Sequence, residues 1–363
     1  MEYKRIYNFN AGPAAIPLDV LRRVYDKWFN FEGCGMAVME MSHRSKEFDD
    51  LHNRTIALVK QLLELSDNYH VLFLQGGASL QFSMLPMNVL TKRKSADYIN
   101  TGSWSTKAIK EAKLFGNVNV AFDGSSDKFM RLPKMKEIKL SKDAEYVHIT
   151  SNNTIKGTQF FKFPKTGNIP LICDMSSDIM SRTIDINQFG MIYAGAQKNL
   201  GPSGVTLVII RDDMLKKMSD KTPSMLNYHV HMSKNSLFNT PNTFGIYIMG
   251  EVLQWIVEHG GMRGMEERNR AKAEMLYNFM DENDDFYKGA VDKGSRSWMN
   301  ICFRLPNEEL EAKFALESKG ARFSGLKGHR SVGGLRASIY NATSLRDVKT
   351  LITYMKAFKK RNE

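Results

Sequence analysis

The sequence has few cysteines and no long apolar run. Its three cysteines among 363 residues, Cys34, Cys173 and Cys302, are isolated and widely spaced, which predicts reduced thiols rather than a disulfide framework or a zinc site. No stretch approaches the roughly 18 apolar residues that span a bilayer. The start of the chain has no continuous apolar region of the kind found in secretory signals. We therefore expect a soluble cytoplasmic protein with no membrane partner.

Acidic residues are fewer than basic ones. The 51 Lys and Arg against 39 Asp and Glu leave a formal net charge of +12, which favours anionic partners. The basic residues recur from Lys4 to Arg361 with acidic residues among them, whereas a nucleic-acid binder usually concentrates its charge in a stripe or tail. The longest basic cluster, at residues 359–361, is typical of a solvated helix end. We expect no nucleic-acid partner.

Short apolar runs alternate with helix-compatible segments between about residues 70 and 210. This alternation is typical of a parallel sheet covered by helices. The predicted strands are residues 70–75, 96–100, 117–122, 145–150, 169–174, 191–196 and 205–210. A short apolar run alone does not exclude a buried helix segment, but the regular spacing of these runs favours strands with both faces packed.

The pattern changes after about Tyr247, where longer amphipathic segments follow. Helices are predicted at residues 251–259, 262–282, 308–319 and 345–360, and strands at 298–305 and 333–340. We predict an α/β protein with a large domain over residues 1–260 and a smaller C-terminal α+β domain over residues 261–363. Residues 1–15 are expected to stay with the large domain or to pack on the small one.

Two charged side chains follow neighbouring predicted strands, where open α/β sheets bind ligands. Asp174 ends the strand 169–174, and Lys198 follows the strand 191–196. The two side chains can meet there, although a helix-capping aspartate and an exposed lysine explain the spacing equally simply. Trp104 also follows a strand, where its ring is suited to stacking on a ligand or to ordinary packing.

A turn without bulky side chains, Gln-Gly-Gly-Ala-Ser at residues 75–79, joins a predicted strand to a helix. Its backbone N–H groups are suited to a phosphate, and a plain tight turn fits equally well. The turn has neither the Rossmann nor the Walker pattern, so nucleotide binding is not indicated. His229 and His231 have no third ligand nearby, and we expect structural histidines and no metal. No Gly-x-Ser-x-Gly elbow indicates a hydrolase.

Arg336 lies inside a strand-like stretch, where an unpaired charge is costly. We therefore expect it to face a cavity and to bind a carboxylate through two hydrogen bonds. Two His-Arg pairs, at residues 43–44 and 329–330, are suited either to an anion or to the solvated surface.

Taken together, these segments resemble the phosphoserine aminotransferases, class V aminotransferases among the fold-type-I pyridoxal-phosphate enzymes. The resemblance runs from residues 8–13 to residues 340–342, and its most specific stretches are residues 41–45, 196–199, 239–244 and 327–338. It implies a large domain with a mainly parallel seven-stranded sheet between helices, and a smaller α+β domain.

The resemblance also implies pyridoxal 5'-phosphate as the cofactor. Lys198 matches the family's Schiff-base lysine and Asp174 the carboxylate that pairs with the pyridine nitrogen, so both are implied to be catalytic. Trp104 matches the ring-stacking tryptophan, and Thr154 a polar residue beside the cofactor. The residues implied to bind the cofactor phosphate are Ala78, Ser79 and Gln197, with Asn239 and Thr240 supplied by the second subunit of a homodimer.

The implied reaction is reversible transfer of the amino group between glutamate and 3-phosphohydroxypyruvate, giving O-phospho-L-serine and 2-oxoglutarate in L-serine biosynthesis. Arg336 matches the residue that binds the α-carboxylate. The residues that match groups near the distal phosphate or carboxylate are His43, Arg44, His329 and Arg330. Ser79 stands where some members carry an arginine, which implies a rearranged grip on the substrate phosphate. Transamination of 4-phosphohydroxy-L-threonine in pyridoxal phosphate biosynthesis stays open, because the two substrates differ little in size.

Three other functions compete with this interpretation. A transaminase that uses alanine or serine with glyoxylate shares Lys198 and Asp174 but has little need for the two His-Arg pairs. A desulfurase uses a mobile cysteine, for which Cys34 is the one candidate outside a predicted strand, without a supporting motif. A nucleic-acid or anion-binding protein on an inactivated scaffold has no need to keep Lys198, Asp174, Trp104 and Arg336 together.

Overall fold

The computed structural model describes residues 4–363. Its α-helices are α1 Leu18–Asp26, α2 Lys46–Leu62, α3 Gly77–Val89, α4 Ser103–Ala112, α5 Asp212–Leu215, α6 Tyr228–Ser233, α7 Thr243–Glu258, α8 Gly261–Asp281, α9 Glu308–Gly320 and α10 Leu345–Asn362. Its strands are β1 Tyr7–Asn8, β2 Tyr69–Leu74, β3 Ser95–Asn100, β4 Asn117–Asp123, β5 Val147–Thr150, β6 Asn152–Asn153, β7 Thr158–Gln159, β8 Leu171–Asp174, β9 Phe189–Gly195, β10 Thr206–Arg211, β11 Lys288–Gly289, β12 Asn300–Arg304, β13 Phe323–Ser324 and β14 Leu335–Ser338. Over these residues no helix is both long enough and apolar enough to cross a membrane.

A seven-stranded sheet in the order β2-β10-β9-β8-β5-β3-β4 forms the centre of the protein. β10 is antiparallel to both of its neighbours, and the other pairs are parallel. These are the seven strands predicted from the apolar runs, and the predicted mainly parallel α/β fold is confirmed.

Helices cover both faces of this sheet. Val71 and Phe73 of β2 pack in a cluster with residues of α1, α2 and α7, whereas Leu72 and Leu74 pack in a second cluster with residues of α3 and α4. Successive side chains of a strand point to opposite faces. A run of consecutive apolar residues therefore serves two cores at once.

The C-terminal part of the chain builds a second, smaller sheet, in the antiparallel order β11-β12-β14. Residues of α8, α9 and α10 pack on it in a third hydrophobic cluster, which also contains Phe9. The first described strand joins this region, since β1 pairs in parallel with β13 through Tyr7 and Phe323.

Helix α7 begins at Thr243, eight residues before the helix predicted at 251–259. Asn242 caps it by accepting a hydrogen bond from the Gly245 N–H at 2.9 Å. Every residue from Gly245 to Leu253 is buried. The amphipathic pattern on which the prediction depended is therefore missing from the first half of the helix.

Candidate active site

A cavity of about 290 Å³ lies where β3, β5, β8 and β9 end. This is the edge at which open α/β sheets bind ligands. The predicted site residues that line the cavity are Ala78, Ser79, Trp104, Thr154, Asp174, Gln197, Lys198, His329 and Arg336. The fold thus collects side chains from six separate segments at one place.

Lys198 follows β9 and is largely buried in this cavity. Its Nζ donates a hydrogen bond to Thr154 Oγ1 at 2.8 Å. Burial lowers the pKa of Lys198 to about 8, with the Arg336 charge acting in the same direction and the Asp174 charge opposing it. The amine therefore loses its proton far more readily near physiological pH than a free lysine does, as a nucleophile or general base requires.

Asp174 is the last residue of β8 and is 4% exposed. Its Oδ1 accepts a hydrogen bond from the Ser176 N–H at 2.9 Å. Burial raises the pKa of Asp174, while the Ser176 hydrogen bonds and the Lys198 charge act to lower it. The carboxylate has no salt bridge within residues 4–363. It is therefore available to a protonated group of a ligand.

Helix α3 points its first turn at the cavity, which Gly77, Ala78 and Ser79 line. The first N–H groups of a helix have no partner inside the helix and attract anions. Gly76 precedes the helix at φ +82°, and a Cβ there would lie 2.6 Å from the Leu80 side chain. The turn therefore requires glycine, and its N–H groups remain open to a phosphate.

Trp104 and Arg336 line the same cavity from other directions. The indole Nε1 of Trp104 and the Nε of Arg336 are buried without a hydrogen-bond partner among the described residues. Arg336 lies on β14, and its Nη1 donates to the Thr154 carbonyl at 3.0 Å. Burial lowers the pKa of His329, and the nearby charges of Arg336 and Arg330 add to this effect. This side of the cavity is positive and suits an anionic ligand.

The remaining predicted residues do not line the cavity of their own chain; they are His43, Arg44, Asn239, Thr240 and Arg330. Thr240 lies near the turn at residues 75–79, since Gln75 Nε2 donates to its carbonyl at 3.3 Å. His43 and Arg44 lie beside each other, with 3.4 Å between His43 Nε2 and Arg44 Nε.

Two other histidines fit the structural role expected of them. His229 and His231 lie in α6. Their Nε2 atoms contact the carbonyl oxygens of Met218 and Met225, at 3.2 and 2.9 Å.

Reasoning from sequence spacing missed the part of the cavity built by residues 11–14. Ala11 and Gly12 line it, and the Ala14 N–H donates to the Gln197 carbonyl at 2.9 Å. A Cβ at Gly12 would lie 3.3 Å from Lys198 Cγ, so the chain passes directly against the lysine stem. The only sequence signal for this segment is its family resemblance.

We compared the chain with known protein families and with curated relatives. The model of the aminotransferase class-V family matches residues 6–351. The chain belongs to this family. Among its class-V relatives, a phosphoserine aminotransferase from Niallia circulans is 53% identical over 98% of this chain and 99% of the relative. The phosphoserine aminotransferase of Bacillus subtilis is 50% identical, over 99% of this chain and all of the relative. The resemblance drawn from the sequence is confirmed.

Solved structures agree with the fold. A phosphoserine aminotransferase from Bacillus circulans subsp. alkalophilus matches with a TM-score of 0.98 and 52% identity, over 99% of this chain and 100% of that one. An aspartate aminotransferase from Thermus thermophilus matches with a TM-score of 0.78 at 13% identity, which shows a shared fold alone.

Proposed function

We propose that this chain is a pyridoxal-phosphate-dependent phosphoserine aminotransferase. It transfers the amino group reversibly between glutamate and 3-phosphohydroxypyruvate, giving O-phospho-L-serine and 2-oxoglutarate, and so serves L-serine biosynthesis. Relatives of that name cover nearly the whole chain at 50 to 53% identity. The observation that carries the proposal is one cavity in which Lys198, Asp174, Trp104, Arg336 and an open helix N-terminus converge.

The residues present fit pyridoxal 5'-phosphate. The cavity of about 290 Å³ is the size of a small-molecule site. Lys198 offers a largely buried amine for the aldehyde, and Asp174 offers a buried carboxylate without a salt bridge for the ring nitrogen. Trp104 offers the flat face of its indole for stacking on the ring, and its N–H has no partner among the described residues. The first turn of α3 supplies N–H donors for the phosphate, with Ala78, Ser79 and Gln197 nearby. When bound, this cofactor supplies an electron sink for the substrate carbanion.

Lys198 and Asp174 are the proposed catalytic residues. Lys198 Nζ would hold the cofactor through its aldehyde and, as a free amine, would accept the proton from the substrate Cα onto Nζ. Thr154 Oγ1, 2.8 Å from this nitrogen, fixes where the amine rests. Asp174 holds a proton on the ring nitrogen, because a buried anion favours a positive charge in contact with it.

Arg336 and the His-Arg pairs are the proposed substrate-binding residues. Arg336 binds the α-carboxylate in a fixed plane, which orients the Cα–H bond toward Lys198. One of its N–H groups is already anchored on the Thr154 carbonyl, so the guanidinium has a defined orientation before the substrate arrives. The residues proposed for the second anionic group of the substrate are His43, Arg44, His329 and Arg330.

The active site is proposed to be shared between the subunits of a homodimer. Asn239 and Thr240 do not line their own cavity, and we infer that they reach the cofactor phosphate of the second subunit. The segment before His43 exposes several large apolar side chains, including Phe29 at 81% and Tyr25 at 68%. Apolar groups exposed together mark interaction surfaces. Sedimentation of the purified protein as a dimer supports this, and a stable, fully active monomer refutes it.

The domain boundary and the location are proposed on similar grounds. Residues 1–260 and 261–363 are assigned to a large and a small domain, with the first described strand attached to the small one through its pairing with β13. A biosynthetic role and the absence of a membrane-crossing helix in residues 4–363 favour the cytoplasm.

An absorption titration tests the function. Protein supplied with pyridoxal phosphate is expected to show a visible band that glutamate removes and 3-phosphohydroxypyruvate restores, with Lys198→Ala as the control that lacks the band. If only another oxo acid restores the band, the substrate assignment is wrong. If no band forms, the enzyme assignment is wrong. 4-Phosphohydroxy-L-threonine in place of glutamate tests the second substrate.

A further inference from the structure

Lys198 and Arg336 belong to different parts of the fold, yet both must contact one substrate. Lys198 follows β9 of the large sheet, and Arg336 lies on β14 of the small sheet. Each is close in sequence to a buried asparagine, Asn199 and Asn341. A third, Asn269, projects from α8. These three side chains are 4%, 4% and 0% exposed.

The three asparagines form a continuous chain of hydrogen bonds, here called the asparagine tie. The Asn341 backbone N–H donates to Asn199 Oδ1 at 3.0 Å. Asn269 Nδ2 donates to Asn341 Oδ1 at 2.8 Å. The tie therefore links the residue after Lys198 to the segment after Arg336 and then to α8.

Each member of the tie is also anchored on one backbone segment, residues 179–181. Asn199 Nδ2 donates to the Ile179 carbonyl at 3.0 Å, Asn341 Nδ2 to that of Met180 at 2.7 Å, and Asn269 Nδ2 to that of Ser181 at 2.8 Å. This segment follows Asp174 in sequence. The tie thus connects three different elements to the same short backbone segment, residues 179–181.

Lys272, one turn after Asn269 on α8, holds the same region through further hydrogen bonds. It is 1% exposed, and its Nζ donates to the carbonyls of Ile339, Tyr340 and Thr343 at 3.0, 2.7 and 2.9 Å. The backbone around Asn341 is therefore held to α8 by several directional contacts. Apolar packing alone tolerates sliding, whereas hydrogen bonds are lost within a few tenths of an ångström.

We propose that the asparagine tie is a positioning device that sets the separation of the Lys198 amine and the Arg336 guanidinium. A substrate held by its α-carboxylate then presents its Cα–H bond at the distance that Lys198 needs. This inference rests on the proposed roles of Lys198 and Arg336. Asn199 and Asn341 are positioning residues, since they act through their neighbours.

Asn341→Ala is the primary test. It keeps the backbone N–H bond to Asn199 and removes both side-chain bonds. We expect kcat/KM for glutamate to fall about 10- to 100-fold, the loss typical of a displacement of about 1 Å at a reacting centre. The visible band of the bound cofactor is expected to stay unchanged, because the ring contacts of Asp174 and Trp104 are not altered.

Asn88→Ala is the matched control. Asn88 is 1% exposed, and its Nδ2 donates to the carbonyls of Met84 and Leu226 at 2.8 and 2.7 Å. Asn88 lies near the C-terminal end of α3, about 17 Å along the helix from its first residue, Gly77. Its replacement removes comparable buried hydrogen bonds, so the two variants are expected to lower the melting temperature similarly. Only Asn341→Ala is expected to lower kcat/KM strongly.

A double-mutant cycle separates positioning from general destabilisation. If the tie acts through Arg336, Asn341→Ala has little further effect on kcat/KM in an Arg336→Ala background. Additive losses, or kinetic constants for Asn341→Ala equal to those of Asn88→Ala, overturn the proposal. If Asn341→Ala does not fold, Asn269→Ala removes the hydrogen bonds from α8 to Asn341 and to the Ser181 carbonyl, and it is judged by the same cycle. If Arg336→Ala itself leaves kcat/KM unchanged, the proposed role of Arg336 fails first.

Discussion

Replacing Lys198 by methionine is expected to stabilise the cofactor-free protein. A lysine in solution has a pKa near 10.5, and burial lowers the pKa of Lys198 to about 8. The folded state therefore disfavours the charged amine relative to the unfolded state. This cost is fully present below about pH 8 and disappears as the pH rises past about 10.5. Methionine keeps most of the apolar stem and has no charge.

The magnitude follows from the two pKa values. The difference costs the folded protein about 3 kcal/mol at about pH 7 and about 1 kcal/mol at about pH 9.5. The substitution also loses the hydrogen bond from Nζ to Thr154, which reduces the gain in stability by about 1 kcal/mol at either pH. Lys198→Met should therefore raise the free energy of unfolding by about 2 kcal/mol near pH 7 and by about 0 near pH 9.5.

Urea denaturation of the cofactor-free proteins at the two pH values measures this difference. Lys162→Met, at an exposed lysine, is the control and is expected to change little at either pH. A Lys198→Met protein that is no more stable than the wild type near pH 7, or whose gain does not shrink at high pH, would refute the reasoning. The expected result means that the lowered pKa of the catalytic amine comes at a cost in stability, a trade that active sites commonly show.

Three further substitutions test the cavity. Asp174→Asn is expected to leave the cofactor bound but to lower kcat about 100-fold or more, because an amide does not hold the ring proton; normal turnover with a normal spectrum would contradict this. Arg336→Lys should raise KM for glutamate about tenfold or more, since an ammonium lacks the planar two-bond grip; steady-state kinetics with both substrates measure it, and an unchanged KM argues against this role. Gly12→Ala should weaken cofactor binding about tenfold in a fluorescence titration, because φ is +135° and the new Cβ meets Lys198. Gly167→Ala, at φ +62° in open space, is its control, and equal affinities for the two variants would count against the reasoning.

The strands of the large sheet were predictable because their sequence pattern is local. Several runs between residues 70 and 210 are apolar nearly throughout, which reflects burial on both faces, whereas β4 at the sheet edge alternates and is largely exposed. The first half of α7 was not predictable in the same way. Its residues Gly245 to Leu253 are buried on all sides, so no amphipathic period indicates a helix.

The site residues that come directly after strands were predictable from the sequence, whereas those from distant segments were not. Asp174 and Lys198 stand at strand ends, so topology alone brings them to one edge. Gly12 contacts Lys198 from 186 positions away in sequence, as the cavity shows. No local pattern encodes that contact, and only resemblance to a family drew attention to the segment. The same holds for Asn239 and Thr240, whose proposed target lies on another subunit.

The pairing of β1 with β13 has a consequence for how the protein is made. Tyr7 is synthesised 316 residues before its partner Phe323. At translation rates of about 5 to 20 residues per second, the early strand waits about 15 to 60 seconds for its partner. Ala11 and Gly12 are positioned against Lys198 by this late closure of the chain on itself. The large sheet of the nascent protein can therefore form well before the active site is complete.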